Sequence, residues 1–354
     1  MTPLVAIIIL NWNNWKDTIE CLESVYQITY PNYEVIIVDN CSNDDSIQRI
    51  REYCEGRIII NSKFLKYNPN NKPIYILEYT REQARKGGNL RKEKYFSKIP
   101  SNRKLRLILN EKNYGFAEGN NIGIRYSLKV LNPDYILLLN NDTAVNKDFL
   151  TELVKVAESD KRIGITGPKI YYYDFNGRID VINFAGGKMN MWKGLPYHIG
   201  ACEVDKGQYN KIREVDYIEG SCILIRRSVL DKIGLIDPNY FAYWEENDLC
   251  MKASKAGFRI VYVPTAKIWH KISASTDNKI KAYYLNRNRF IFMKKYASKR
   301  QLATFLLYFF CYQFWVRCAM LTFYYKDLGT FIAFLRGVID GITSRFNYYS
   351  RINI

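Results

Sequence analysis

Residues 5–10 form an unbroken apolar run and residues 34–39 (EVIIVD) form a second, each short enough for a strand buried on both faces. Between them Trp15, Ile19, Leu22 and Val25 recur at helical spacing and stop before Pro31, so the opening reads as strand, helix, strand. The alternation continues with a helix over about 44–54, strands over 57–61 and 105–110, a helix over 118–129 and a strand over 135–140. Such alternation predicts an α/β fold with a mostly parallel central sheet. After Pro168 the pattern breaks into short strands and loops around Gly186 and Gly187, followed by a strand over 217–226 and a helix over 228–233.

Two segments stand apart. Residues 62–104 carry twelve Lys or Arg against three Glu, with the turn-forming PNNKP and KGG, and read as a basic surface insertion. Residues 302–325 are strongly apolar but contain Gln313 and Arg317, and Leu328, Phe331, Ile332, Leu335, Val338, Ile339 and Ile342 then trace one helical face. The apolar run is long enough to cross a bilayer; lying in the membrane interface, spanning it, and packing onto the rest of the chain are all compatible with its composition.

Composition narrows the class. The chain of 354 residues is 48% hydrophobic and 25% charged, with a formal net charge of +17, which suits a folded protein with an anionic partner: nucleic acid, a membrane surface or a phosphorylated substrate. The eight cysteines include no Cys-x-x-Cys pair, which argues against zinc, and no signal peptide is read at the start, so reduced thiols and a cytoplasmic catalytic part are expected. Basic residues concentrate in the insertion and beside the apolar segment without a recognition motif, so a nucleic-acid-binding protein is the weaker alternative.

In an open parallel sheet, ligands bind beyond the carboxyl ends of the strands. The residues there are Asn11, Asp39-Asn40, the stretch from Asn113 through Gly115 to Asn120 (NYGFAEGN), and Asn140-Asn141-Asp142. Asp39 is suited either to a ribose or base group or to capping a helix. Neither Gly-x-Gly-x-x-Gly nor a P-loop is present, which argues against dehydrogenases and P-loop ATPases. Asp142 at a strand end could bind Mg²⁺ or Mn²⁺ with diphosphate oxygens completing the shell. There are two histidines; His270, after a strand-like run, is either structural or a second metal contact, and His198 is read as structural. Trp244-Glu245-Glu246-Asn247-Asp248 opens a helix, where acids either favour the helix dipole or raise one another's proton affinity as a general base requires. Trp244 offers a flat face for a sugar.

Taken in order, VAIIILNWNN, YEVIIVDNCSNDDS, NEKNYGFAEGNNIGI, YILLLNNDT, VDYIEGSCILIRRSVLDKIGLID and YFAYWEENDLCMKASKAGFRIVYVPTAKIWH resemble glycosyltransferase family 2, in particular its rhamnosyltransferase-like branch, over about residues 3–290 apart from the insertion. The resemblance implies a GT-A fold, with a nucleotide-binding half over 1–142 and an acceptor-binding half over 143–275 of a domain spanning 1–275, leaving 276–354 as a helical, membrane-associated region. It implies inverting transfer from a UDP- or dTDP-linked sugar to a hydroxyl of a glycan or lipid-linked acceptor, at the cytoplasmic face of the cell membrane. By the same resemblance Asn11, Asp39, Asn40, Asn113, Gly115, Asn120 and Asn141 line the donor pocket. Asp142 and His270 hold the divalent metal, with Asn140-Asn141-Asp142 standing where the family has Asp-x-Asp. Glu246 is the base, at a position usually occupied by Asp, and Trp244, Glu245 and Asp248 meet the acceptor. A nucleotidyltransferase or a non-catalytic sugar-nucleotide-binding module would use the same fold.

Overall fold

The computed structural model describes residues 2–272 and 277–344. The opening unit forms as the apolar pattern requires: strand β1 (Val5–Asn11), helix α1 (Trp15–Val25) and strand β2 (Tyr33–Asp39), with β1 and β2 parallel and almost wholly buried. Helix α2 (Ser46–Cys54) follows. No strand forms at 57–61: the segment is irregular, and Ile59 is exposed. The sheet position is taken instead by β3 (Tyr75–Thr80), inside the residues read as a surface insertion. It pairs in parallel with β4 (Lys104–Leu109) as the sheet edge, burying Leu77 and Tyr79 alternately, as an edge strand with one wet face does. Short helices α3 (Arg81–Lys86) and α4 (Leu90–Phe96) cover this edge.

Part of the insertion's positive charge is spent inside the protein. Lys72 meets Glu23 at 3.0 Å and Lys104 meets Glu34 at 2.6 Å, while neighbouring Arg106 bridges Glu34 and Glu93, all largely buried. Buried ions are tolerated only when paired in this way.

Helix α5 (Gly115–Val130) returns the chain to β5 (Tyr135–Asn140), which lies parallel to β1. After the short strand β6 (Thr143–Val145) and helix α6 (Phe149–Ser159), the long strand β7 (Ile163–Tyr172) and the short strand β8 (Val181–Phe184) begin the second half. A separate hairpin of β9 (Gly187–Asn190) and β10 (Leu195–His198) projects from it, followed by the two-residue strands β11 (Glu203–Val204) and β12 (Arg213–Glu214). Strand β13 (Cys222–Arg226) is shorter than the 217–226 expected. It pairs antiparallel with β5, and residues 217–221 are instead a loop. Helices α7 (Arg227–Ile233) and α8 (Glu245–Lys255) precede β14 (Arg259–His270). The resulting sheet runs β11-β8-β7-β13-β5-β1-β2-β4-β3, with β14 joined to β7, β6 and β12.

The C-terminal helices share a core with the catalytic half. Helix α9 (Asn278–Tyr296) contributes Phe290, Phe292 and Met293 to a cluster with Tyr240, Trp244, Phe305, Phe309 and Phe334. A continuous 26-residue helix, Lys299–Tyr324, follows; it contains α10 (Lys299–Tyr308) and α11 (Phe314–Ala319) with π-helical turns between and after them. The last helix, α12 (Leu328–Thr343), packs through only part of the apolar face expected of it. Val338 is buried with Phe334, and Phe331 and Leu335 pack on the same cluster, but Thr330, Ala333, Gly337 and Gly341 are buried too, whereas Leu328, Ile332, Ile339 and Ile342 are exposed. Small residues are required where the backbones of α9 and α12 nearly touch: a Cβ on Gly337 would lie 2.4 Å from the carbonyl oxygen of Tyr283.

Candidate functional site

The ends of β1, β2, β4 and β5 meet at one edge of the sheet, and two hydrogen-bond networks form there. In the first, Asn11 donates to Asp39 at 2.7 Å and accepts from Thr18 at 2.6 Å, and Asn141 donates to Thr18 at 2.9 Å. Asp39 also accepts from the backbone N–H of Ser42 at 3.0 Å. In the second, Asn40 donates to the side chain of Asn113 at 2.8 Å and to the carbonyl of Gly115 at 3.1 Å. Asn113 Oδ1 in turn accepts from the Gly115 N–H at 2.8 Å. Gly115 is held at φ +76°, and a Cβ there would strike the Phe241 ring at 2.4 Å, so glycine is required on both counts. Six of the seven expected donor residues are thus joined or adjacent. The seventh, Asn120, is buried in α5 and donates to the carbonyl of Phe116 in its own helix.

Strand β14 brings His270 to Asp142 across 128 residues of chain. Its pairing with β6 sets His270 opposite Thr143, and Nε2 of His270 lies 3.1 Å from Oδ1 of Asp142. Its other ring nitrogen lies 3.7 Å from Glu219 and has no hydrogen-bond partner among the described residues. Burial opposes protonation of this imidazole, but the Asp142 carboxylate and then Glu219 outweigh it and hold the pKa at about 9. Lys271, next in the chain, donates its N–H to the Asp142 carbonyl at 3.0 Å and pairs with Glu20 at 2.5 Å and with Asp17. One imidazole nitrogen and one carboxylate oxygen converging in this way could contribute to the shell of a divalent ion that takes mixed nitrogen and oxygen ligands. Among the described residues no group of three or more His, Cys, Asp or Glu side chains is arranged around a common metal position, so further ligands would come from a bound phosphate or water.

Glu246 stands in the first turn of α8. Burial pushes its pKa up to about 7, with backbone N–H groups opposing and the charge of Glu219 adding to the rise. Its Oε1 accepts from Asn247 at 2.9 Å. The loop leading to it is strained: Phe241, Tyr243 and Trp244 all have positive φ, a cost of about 1–3 kcal/mol each that surrounding contacts must hold. Those contacts come from α9. Fully buried Asn288 donates to the carbonyls of Tyr240, Ala242 and Tyr243 at 2.9, 2.8 and 2.7 Å, and Arg287 reaches the Tyr240 carbonyl and orients Asn288.

Of the other acidic-cluster residues, Trp244 and Asp248 face protein, while Glu245 lies buried beside Glu246. Trp244 is only 5% exposed, its indole donates to the Leu285 carbonyl at 3.1 Å and it packs on Phe292, so its face is presented to protein rather than to a sugar. Asp248 is fully buried among Lys252, Lys295, Tyr240 and Tyr296, where it ties α8 to α9. Glu245 is buried, which raises its pKa well above the ordinary carboxylate value. His198 stacks edge-on against Phe184, away from this site. Glu219 was not singled out from sequence because 217–221 reads as the beginning of an apolar strand. In the fold those residues form a loop whose Ser221 donates to Glu219 and whose backbone receives the N–H of Asn140 at 2.9 Å. Lys271 and Ser42 carried no motif of their own.

Comparison with known proteins places this geometry. A model described as glycosyltransferase like family 2 matches residues 94–292, and one described as glycosyl transferase family 2 matches residues 6–72. The chain belongs to glycosyltransferase family 2. Among curated relatives of this family 2 chain, a low-salt glycan biosynthesis hexosyltransferase of Haloferax volcanii is 30% identical over 190 residues, covering 53% of this chain and 59% of the relative. An N-acetylglucosaminyl-diphospho-decaprenol L-rhamnosyltransferase of Mycobacterium tuberculosis is 44% identical over 64 residues, 18% of this chain and 21% of the relative. The matches therefore span less than two thirds of these relatives. A mannosyltransferase of Pyrobaculum calidifontis solved with GDP-Man and Mn²⁺ superposes with a TM-score of 0.54 at 12% identity, over 98% of this chain and 88% of its own. The likeness establishes the GT-A fold expected from the motifs.

Proposed function

We propose that this family 2 chain is an inverting glycosyltransferase that moves a sugar from a UDP- or dTDP-linked donor to a hydroxyl of a glycan or lipid-linked acceptor. The observation that carries the reading is that one loop links a buried carboxyl with a pKa of about 7, Glu246, to the Asp142–His270 pair: Gly220 lies against Glu246, and neighbouring Glu219 lies 3.7 Å from His270 and its charge adds to the rise at Glu246. A general base is most effective when its pKa lies near the working pH. Glu246 takes the proton of the acceptor hydroxyl as that oxygen bonds to the anomeric carbon. The bond to the nucleoside diphosphate breaks on the opposite face, its electron pair leaves with the diphosphate, and the configuration inverts. Asn11, Asp39, Asn40, Asn113, Gly115 and Asn141 bind and orient the nucleotide. Asp142 and His270 would hold a divalent metal, Mn²⁺ or Mg²⁺, which would supply charge neutralisation at the leaving diphosphate.

The reading extends to the membrane. The Lys299–Tyr324 helix packs one side on α9 and α12 through Phe305, Phe309 and Leu321, and buried Arg289 donates to Gln313 at 2.7 Å. Its other side exposes Leu307, Phe310, Trp315, Phe323 and Tyr324. A helix fastened along one side with an aromatic outer face suits the interface of a bilayer rather than a lone span, at the cytoplasmic face, where Lys299 and Arg300 would meet anionic lipid.

The test is product analysis. Incubation with UDP- and dTDP-sugars, Mn²⁺ and a lipid-linked acceptor should release nucleoside diphosphate and give a product of inverted anomeric configuration. Release of pyrophosphate, or binding without turnover across donors and acceptors, would overturn the assignment.

A further inference from the structure

The hairpin β9–β10 stands out from the sheet and bounds a cavity of about 440 Å³, within the ~300–1,000 Å³ of small-ligand sites. Two large aromatic side chains line it, Trp192 at 52% and Tyr197 at 54% exposure. Their exposure does not come from a loose hairpin. Asn190 Oδ1 accepts from the N–H groups of Trp192 and Lys193 at 3.1 Å each, the Lys193 carbonyl accepts from Arg289, and Gly194 sits against Met293 and Phe305. Asp216 fixes the base of the hairpin, accepting from the Met189 N–H at 2.8 Å and from Lys188 at 3.1 Å.

The polar lining has capacity to spare. A carboxylate accepts about four hydrogen bonds, so Asp216 retains room for hydroxyl donors. Asn190 and Gln301 both use their amide oxygens internally, the latter to cap α10 through the Ser298 N–H at 2.9 Å, and each keeps its amide nitrogen as a donor. Rigid aromatic faces beside a carboxylate and amide donors match the two surfaces of a pyranose, one of C–H groups and one of hydroxyls.

The position is equally specific. Gly187 and Asp216–Tyr217 are hydrogen-bonded to one another, at 2.9 and 3.2 Å, and Glu219 follows Asp216 by three residues, at most about 10 Å of extended chain. Gln301, on the opposite wall, begins the helix whose outer face is apolar. We infer that this cleft binds the saccharide head of the acceptor, a ring or two from the hydroxyl that reacts, with the acceptor's lipid portion running along the Lys299–Tyr324 helix. The inference rests on the glycosyltransferase reading above and names the acceptor subsite for it.

The test uses the full chain and n-octyl glycosides of N-acetylglucosamine, galactose and rhamnose as probes, with binding followed by calorimetry. Wild type should bind at least one of them, and Trp192→Ala and Tyr197→Ala should each weaken that binding roughly tenfold through loss of one ring face. Both residues are exposed, so the variants should fold, and their affinity for a sugar nucleotide with Mn²⁺ should equal that of wild type. Unchanged glycoside affinity in both variants, or no glycoside binding by wild type, would overturn the subsite. Failure of wild type to bind any sugar nucleotide would strike instead at the proposed function, leaving the glycoside result to decide the cleft by itself.

Discussion

Asn288 is the residue through which the C-terminal helices hold the loop leading to Glu246, the proposed base, and replacing it isolates that role. Its amide group serves three loop carbonyls at 2.7–2.9 Å. An NH₂ group has two hydrogens, so about two full hydrogen bonds are at stake. Leaving buried carbonyls unsatisfied at ~1–3 kcal/mol each gives a destabilisation of about 2–6 kcal/mol for Asn288→Ala. The loop has somewhere to relax to, because Phe241, Tyr243 and Trp244 are held at positive φ. Glu246 follows two residues later, and a shift of its carboxyl by ~1 Å would lower kcat by roughly 100-fold. Donor affinity should fall less than kcat: the Asn11–Asp39 network has no group from α9 or this loop, and the Asn40–Asn113 network touches the loop where Phe241 packs on Gly115 and accepts from the N–H groups of Phe116 and Ala117. The assay is steady-state kinetics with nucleotide-sugar affinity measured in parallel, and with the pH profile as the reading that stability alone would not move: the acid limb should depart from its wild-type position. A variant with lowered Tm but wild-type kcat and pH profile would refute the reasoning and reduce Asn288 to a stabilising contact.

Other expectations are more direct. Because Glu246 must be ionised to accept a proton and its pKa is held at about 7, kcat/KM should fall about tenfold per unit as pH drops below 7. Glu246→Gln should abolish turnover, and Glu219→Gln should move the limb to lower pH by removing a negative charge beside Glu246; an unmoved limb would exclude that contact. Asp142→Ala and His270→Ala should each remove the Mn²⁺ dependence of nucleotide-sugar affinity, seen by calorimetry with and without chelator, and persistence of that dependence would exclude them as ligands. Gly341→Leu should lower Tm by many degrees, since even a Cβ would lie 2.8 Å from the Arg287 carbonyl; an unchanged Tm would mean that α12 does not pack as described. Replacing Leu307, Trp315 and Phe323 together with Ser should cut co-flotation with anionic vesicles while leaving turnover of a water-soluble acceptor intact, and equal flotation would refute the interfacial reading.

The parts of the fold that were legible in the sequence are those where one physical pattern dominates. Residues 5–10, 34–39 and 135–140 are buried on both faces, and their uninterrupted apolar runs announce it. Strand β3 was missed because an edge strand has one wet face and its neighbours are basic, while Ile58 to Ile60 offered a stronger apolar run that has no strand partner. The face of α12 was only partly legible: Val338 of the apolar stripe is buried as expected, yet the closest approach to α9 belongs to glycines that no apolar pattern marks. At the site, polar residues that end strands could be found from position alone, since the topology gathers strand ends. Glu219, Asn288 and the burial of Asp248 depend on loop paths and on contacts between distant segments, which no local pattern encodes.

The shared core of α8 and α9 bears on how a soluble version could be prepared. Truncation near residue 275, the domain boundary expected from the sequence, would be the natural choice for expression, although the family match runs on to residue 292. It would strip Asp248 of Lys295 and Tyr296, leave the Trp244 indole without the Leu285 carbonyl and open the cluster around Tyr240 to water. A shortened protein would therefore lose its chemistry along with its apolar surface. Solubility is better sought by replacing the exposed apolar residues of the Lys299–Tyr324 helix with polar ones, leaving its inner face, which shares the cluster around Tyr240 and Trp244, as it is.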